Sequence, residues 1–153
     1  MDYQVSVVGG GISGALAALY LGKSRVKTCL IDRGKPSQRL SNPYIGKTTS
    51  LNLSSIASLR DVGIWEDIKK NAQEFNEIYV WDAEGSSSVQ FKAEEISRND
   101  LGVIVHNNII LESIYSKLEQ ISEVTLIEEE SLKEISQDQN KIELTSDSGL
   151  RIA

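Results

Sequence analysis

The run VSVVGGGISGALAALYL, Val5 to Leu21, constrains this chain more than any other stretch. Val5, Val7 and Val8 are β-branched and no charge interrupts them, so Tyr3–Val8 reads as a buried strand. Three consecutive glycines follow. The alanine- and leucine-rich segment Ser13–Leu21 then reads as a helix, with Gly22 as its C-terminal stop. Lys27–Ile31 reads as a second short strand. A strand, a helix and a strand at this spacing make a β-α-β unit, which requires parallel strands and a right-handed crossover.

The glycines fit the pattern Gly9-x-Gly11-x-x-Gly14, and each has a mechanical task. Gly9 permits the tight turn, Gly11 lets the backbone approach a pyrophosphate, and Gly14 lets helix and strand pack closely. The helix start, at Ile12 and Ser13, offers free N–H groups and the positive end of the helix dipole to phosphate oxygens. Asp32 lies 23 positions after Gly9, at the end of the second strand. A carboxylate there is placed to accept hydrogen bonds from a ribose hydroxyl. Its charge disfavours a 2′-phosphate, an effect that the adjacent Arg33 offsets in part. The residues therefore point to a dinucleotide, either FAD or NAD. A glycine turn that only packs tightly is the competing explanation.

Charge and composition exclude other classes. The net charge of −6 disfavours nucleic acid as a partner, because neutralising phosphates needs a basic surface. The single cysteine, Cys29, sits in the apolar run VKTCLID and reads as a buried core thiol, with no disulfide possible within the chain. One histidine and no cysteine cluster give a metal site no support. No stretch has the length of a transmembrane helix, and Asp2 stands where a signal peptide carries basic residues. These features predict a cytoplasmic protein, or one peripheral to the inner membrane.

Farther along, Arg33–Thr49 is polar, holds both prolines and reads as a long loop. Leu51, Ile56, Leu59 and Val62 share one helical face, which predicts a helix over Ser50–Val62 stopped by Gly63, with a further turn or two in IWEDIKK. Trp65 closes the apolar face of that helix. Glu77–Asp82 and Ser88–Lys92 flank AEGSS as a β-hairpin, Trp81 lying on it. Val103–Val105 reads as a strand, and Asn107 or Asn108 as the cap of a helix running to about Ile121. His106 reads as a surface residue at the strand end. Val124–Ile127 is a further parallel-type strand. Leu132–Ser136, Lys141–Thr145 and Leu150–Ala153 read as an antiparallel meander. The acidic runs Glu94–Glu95 and Glu128–Glu130 read as solvated faces. The chain stops at Ala153 inside a strand that has just begun, so it is expected to be a fragment.

Four blocks, VSVVGGGISGALAALYL, IDRGKPSQRLSNPYIGKTTSLNLSSIASLRDVGIWEDI, FNEIYVWDAEG and LGVIVHNNIILESIYSKL, occur in the order and spacing of a known family. Together they resemble the FAD-dependent aromatic hydroxylases of ubiquinone biosynthesis, a branch of the p-hydroxybenzoate hydroxylase-like monooxygenases. The resemblance implies an α/β, Rossmann-like FAD-binding fold, with a parallel sheet, helices and a small antiparallel meander. It makes residues 1–153 the N-terminal part of an FAD-binding monooxygenase domain, with a substrate-side β insertion over about 75–100. The later Asp-Gly and Gly-Asp-Ala motifs of the family are absent. It assigns Gly9, Gly11, Ile12, Ser13 and Gly14 to the FAD pyrophosphate, and Asp32 with Arg33 to the adenosine side. It sets Lys47 and Asn107 beside the flavin. The family has an arginine where this chain has Lys47, which keeps the charge but lacks the planar fork of donors. The implied activity is hydroxylation of a polyprenylated phenol, with NADH or NADPH as reductant and O2 as co-substrate. Other proteins of ubiquinone biosynthesis are the implied partners. No catalytic residue is assigned, and the chain alone is expected to bind FAD weakly or not at all and to be inactive as a hydroxylase. An inactive remnant, a stand-alone nucleotide-binding module and an NAD-dependent oxidoreductase remain the alternatives.

Overall fold

The computed structural model describes residues 2–36 and 46–153. Its first layer is a parallel sheet of β1 (Val5–Val8), β2 (Thr28–Ile31) and β8 (Val124–Ile127), with β2 in the middle. The expected β-α-β unit is present, with α1 (Ile12–Lys23) as its crossover. β2 carries no charge and is buried on both faces. Successive side chains of a strand point to opposite faces, and β2 divides accordingly. Leu30 joins the core beneath the helices, whereas Cys29 and Ile31 join a second core with Leu144 and Ile152. That second core lies under the meander of β9 (Leu132–Gln137), β10 (Ile142–Ser146) and β11 (Arg151–Ile152). Helices, parallel sheet and meander thus form three layers. Burial raises the Cys29 thiol above its ordinary pKa, and its Sγ donates to Ser6 Oγ at 3.1 Å, as a core thiol requires.

α1 buries Ala15, Ala18, Leu19 and Gly22, one stripe at helical spacing. The small residues let the helix sit close on the sheet. Gly22 does not stop the helix, contrary to expectation. It lies in the last turn, where an added Cβ would come within 2.5 Å of the Val124 side chain, and the chain turns instead at Arg25, whose φ is +61°. Packing, not termination, explains this glycine.

A second, antiparallel sheet has β7 (Gly102–His106) between β3 (Thr48–Asn52) and β4 (Gln73–Phe75). Here the helix expected over Ser50–Val62 is corrected. Ser50 to Asn52 belong to β3, paired residue for residue with β7, and α2 spans Leu53–Asp61. Asn52 caps that helix, its side chain accepting from the Ser55 amide at 2.9 Å. The buried face of α2 consists of Ile56 and Leu59. α3 (Trp65–Lys69) is the expected extra turn, and Trp65 is buried in the main core.

α4 (Asn107–Leu118) buries Ile109, Ile110, Leu111, Ile114, Tyr115 and Leu118 in the main core, against α1, α3 and β7. Fully burying such aliphatic side chains contributes roughly 1.5–3 kcal/mol each. The hairpin of β5 (Glu77–Trp81) and β6 (Ser88–Lys92) forms where the sequence predicts it. It stands apart from the core, with Trp81 65% and Tyr79 54% exposed. The greater part of the long loop, residues 37–45, lies outside the described residues. Among the described residues, no helix is long and apolar enough to cross a membrane.

Candidate dinucleotide site

The glycine turn joins the end of β1 to the start of α1. Gly9 has φ +106°, a left-handed conformation that disfavours a side chain. A Cβ on Gly14 would overlap the Gly9 carbonyl oxygen and approach Val7 Cγ1 at 3.4 Å, so this glycine sets the spacing of helix and strand. Gly11 is the N-cap residue of α1, and no side chain caps the helix. A Cβ on Gly11 meets no protein atom within 4 Å. The three glycines of the pattern thus differ in setting: Gly9 has a left-handed φ, Gly11 has open space at its Cβ position and Gly14 is in close contact with Gly9.

Ile12 and Ser13 form the first turn of α1. Ser13 is exposed, while Ile12 packs its side chain on the core, leaving only its backbone for the site. The first amides of a helix have no partner within it and carry its positive dipole end. Asp32 follows β2 directly, and its carboxylate is already engaged with the turn. Oδ2 accepts from the Gly10 amide at 2.5 Å and Oδ1 from the Gly34 amide at 2.8 Å. Arg33, next along, is exposed. Gly9, Asp32, Arg33, Glu130, Ser131 and Leu132 border a groove of ≈ 290 Å³ on this side of the turn. Among larger hollows, one of ≈ 490 Å³ lies against α4, and one of ≈ 640 Å³ lies between β1 and the meander.

The acidic run beside the groove is solvated, as expected, with Glu128 and Glu129 exposed, and it also makes local bonds. Glu129 pairs with Lys35 at 2.9 Å, raising the lysine's pKa. The Glu130 amide donates to the Asp32 carbonyl. The Ser146 and Ser148 hydroxyls hold the Glu130 carboxyl below the usual carboxylate range.

Lys47 and Asn107 come together as a second cluster. The Asn107 amide donates to the Lys47 carbonyl at 2.9 Å, and the Lys47 side chain is exposed. Asn107 is not the cap that its sequence position suggests. His106 occupies the N-cap position without a side-chain cap bond, and it is half-buried, not a surface residue. Asn107 opens the helix, and its Oδ1 accepts from Thr49 Oγ. Thr49, on the adjacent strand β3, engages the side chain.

Two residues of the turn escape sequence reasoning. Gly10 stands at a position that the glycine pattern leaves free, yet it is buried, and a Cβ there would lie 3.1 Å from the Asp32 side chain. Tyr115, on α4, donates its hydroxyl to the Gly10 carbonyl at 2.8 Å. Nothing in the spacing of the sequence links residues 105 positions apart. Among the described residues, no cluster of metal-ligating side chains occurs.

A parallel β-α-β unit, with a glycine turn opening a helix beside a strand-end carboxylate, defines a dinucleotide-binding protein. The family described as FAD binding domain matches residues 2–146, and the chain belongs to it. It is 30% identical over 150 residues to the mitochondrial ubiquinone biosynthesis monooxygenase COQ6 of Dictyostelium discoideum, covering 88% of this chain and 30% of that protein. The ubiquinone hydroxylase UbiL of Rhodospirillum rubrum is 25% identical over 146 residues, covering 95% of this chain and 34% of its own length. The p-nitrophenol 4-monooxygenase PnpA of Pseudomonas putida superposes with a TM-score of 0.76 at 21% identity, over 99% of this chain and 39% of that one. This last likeness establishes the fold. The chain thus spans about a third of the length of the curated relatives it matches.

Proposed function

We propose that this chain supplies the ADP-binding part of an FAD-dependent monooxygenase that hydroxylates the aromatic ring of a polyprenylated phenol in ubiquinone biosynthesis. In this reading residues 1–153 form the N-terminal part of the FAD-binding domain, and the hairpin region, about 75–100, begins the substrate side. The observation that carries it is the open space over Gly11, at an uncapped helix start with the Asp32 carboxylate beside it. The names of the two ubiquinone-pathway relatives support the substrate class.

Gly11, Ile12 and Ser13 would bind the pyrophosphate through backbone amides, with Gly9 and Gly14 shaping the turn. Asp32 would take the ribose hydroxyls, and Arg33 would flank the adenosine. Lys47 and Asn107 would lie toward the flavin, since Asn107 stands eight residues before Tyr115, about 12 Å along the helix axis. When bound and reduced by NADH or NADPH, FAD supplies the transfer of one oxygen atom from O2 to the ring. The protein's part is to hold and orient the cofactor. On this reading the protein would be cytoplasmic or peripheral to the inner membrane and would work with other proteins of the same pathway.

Titration of the chain with FAD, ADP and NAD, followed by NMR shifts of the turn amides, tests this reading. FAD and ADP are expected to compete for one site. Asp32→Ala is expected to weaken both by about 1.5–3 kcal/mol, the worth of a charge-assisted hydrogen bond. Binding of NAD without FAD would overturn the assignment, as would an Asp32→Ala variant with the affinity of the parent.

A further inference from the structure

Gly10 is held from both sides. Its amide donates to Asp32, and its carbonyl accepts from the buried hydroxyl of Tyr115. Tyr115 itself is only 5% exposed. Glycine has the widest backbone freedom of any residue, and without these two bonds the peptides on either side of Gly10 could rotate at little cost. The Gly10 carbonyl and the Gly11 amide belong to one planar trans peptide, so they point in opposite directions. A hydroxyl that draws the carbonyl inward therefore turns the Gly11 N–H away from Tyr115.

We infer that Tyr115 is a positioning residue for the phosphate turn, fixing through Gly10 the direction of the Gly11 amide. The inference rests on the FAD reading above. Asp32 completes the arrangement: the carboxylate assigned to the ribose also fixes the preceding peptide, so the two subsites share one rigid residue. Rotation of the 10–11 peptide would present a carbonyl oxygen to the pyrophosphate in place of a donor. Tyr115 does not touch the cofactor in this scheme. It sets the geometry of a group that does.

The test is Tyr115→Phe, which removes one hydroxyl and keeps the ring in the core. Hydrogen exchange in the free chain is expected to quicken about tenfold at the Gly10 amide, whose bond to Asp32 depends on the same peptide geometry, with the core amides unchanged. Affinity for FAD and for ADP is expected to fall about three- to tenfold, the range for one net hydrogen bond. Affinity for adenosine, which lacks the pyrophosphate, stays as in the parent. A merely structural role would not divide ADP from adenosine in this way. A second variant, Gly10→Ala, attacks the bond from its other end, since its Cβ would overlap the Tyr115 hydroxyl. Its Cβ would also crowd the Asp32 side chain, so it is expected to lower affinity for ADP and, to a smaller degree, for adenosine. Unchanged exchange, unchanged ADP affinity, or an equal loss for adenosine overturns the inference and leaves the FAD reading standing. A parent chain that binds neither FAD nor ADP overturns the reading itself, and the inference with it.

Discussion

Gly11→Val is expected to reduce FAD affinity at least a hundredfold while the melting temperature stays within about 4 °C of the parent. The backbone of Gly11 has φ −72° and ψ −179°, an extended conformation open to valine, and no protein atom lies within 4 Å of its Cβ position. The fold therefore loses little beyond the preference for glycine over valine at an N-cap, about 1 kcal/mol, and 1 kcal/mol moves the midpoint of a chain this size by about 2–4 °C. The ligand loses much more. Two displaced amide–phosphate hydrogen bonds at about 1.5–3 kcal/mol each amount to a hundredfold or more. Thermal melting and flavin titration on the same preparation check both halves. Flavin retained at parental affinity would make the turn a packing device only.

Gly14→Ala is expected to behave in the opposite way, damaging the fold first. Its Cβ would overlap the Gly9 carbonyl oxygen, a backbone atom that cannot rotate aside, and Val7 stands behind it. Overpacking of this kind costs about 3 kcal/mol, so the melting temperature is expected to drop by roughly 6–12 °C. FAD binding should fall with it, because the turn must shift to admit the methyl group. A Gly14→Ala variant that melts with the parent would show that α1 can move off β1 without penalty. The two substitutions, three residues apart, thus separate the ligand's requirement from the helix's.

The glycine turn, Asp32, the β-α-β unit, the hairpin and the meander were legible in the sequence because each is encoded within a few neighbouring residues. Turn chemistry, β-branching and a strand-end acid suffice for them. The errors fall where a distant partner decides. Ser50–Asn52 carries a residue, Leu51, at helical spacing with Ile56 and Leu59, but a ladder to β7, some fifty positions away, captures it as strand. Asn107 has the chemistry of a cap, yet Thr49 engages its side chain. Gly22 looks like a stop and is a contact with β8. Tyr115 offered no signal at all, since a tyrosine on the buried stripe of a helix reads as core. Its hydroxyl matters only because the fold brings Gly10 beneath it.

The junctions of the second sheet carry a mechanical consequence. β7 ends at His106 and α4 begins at Asn107; β3 ends at Asn52 and α2 begins at Leu53. Neither strand has a linker before its helix, so there is no slack to absorb relative motion. A displacement of β7 along its length is transmitted directly to α4, and Tyr115 travels with the helix as the far end of a stiff lever. The hydrogen bond at Gly10 then acts as the lever's point of attachment to the glycine turn. Strain introduced at the second sheet would thereby reach the glycine turn, and a clamp on that turn would stiffen the sheet in return.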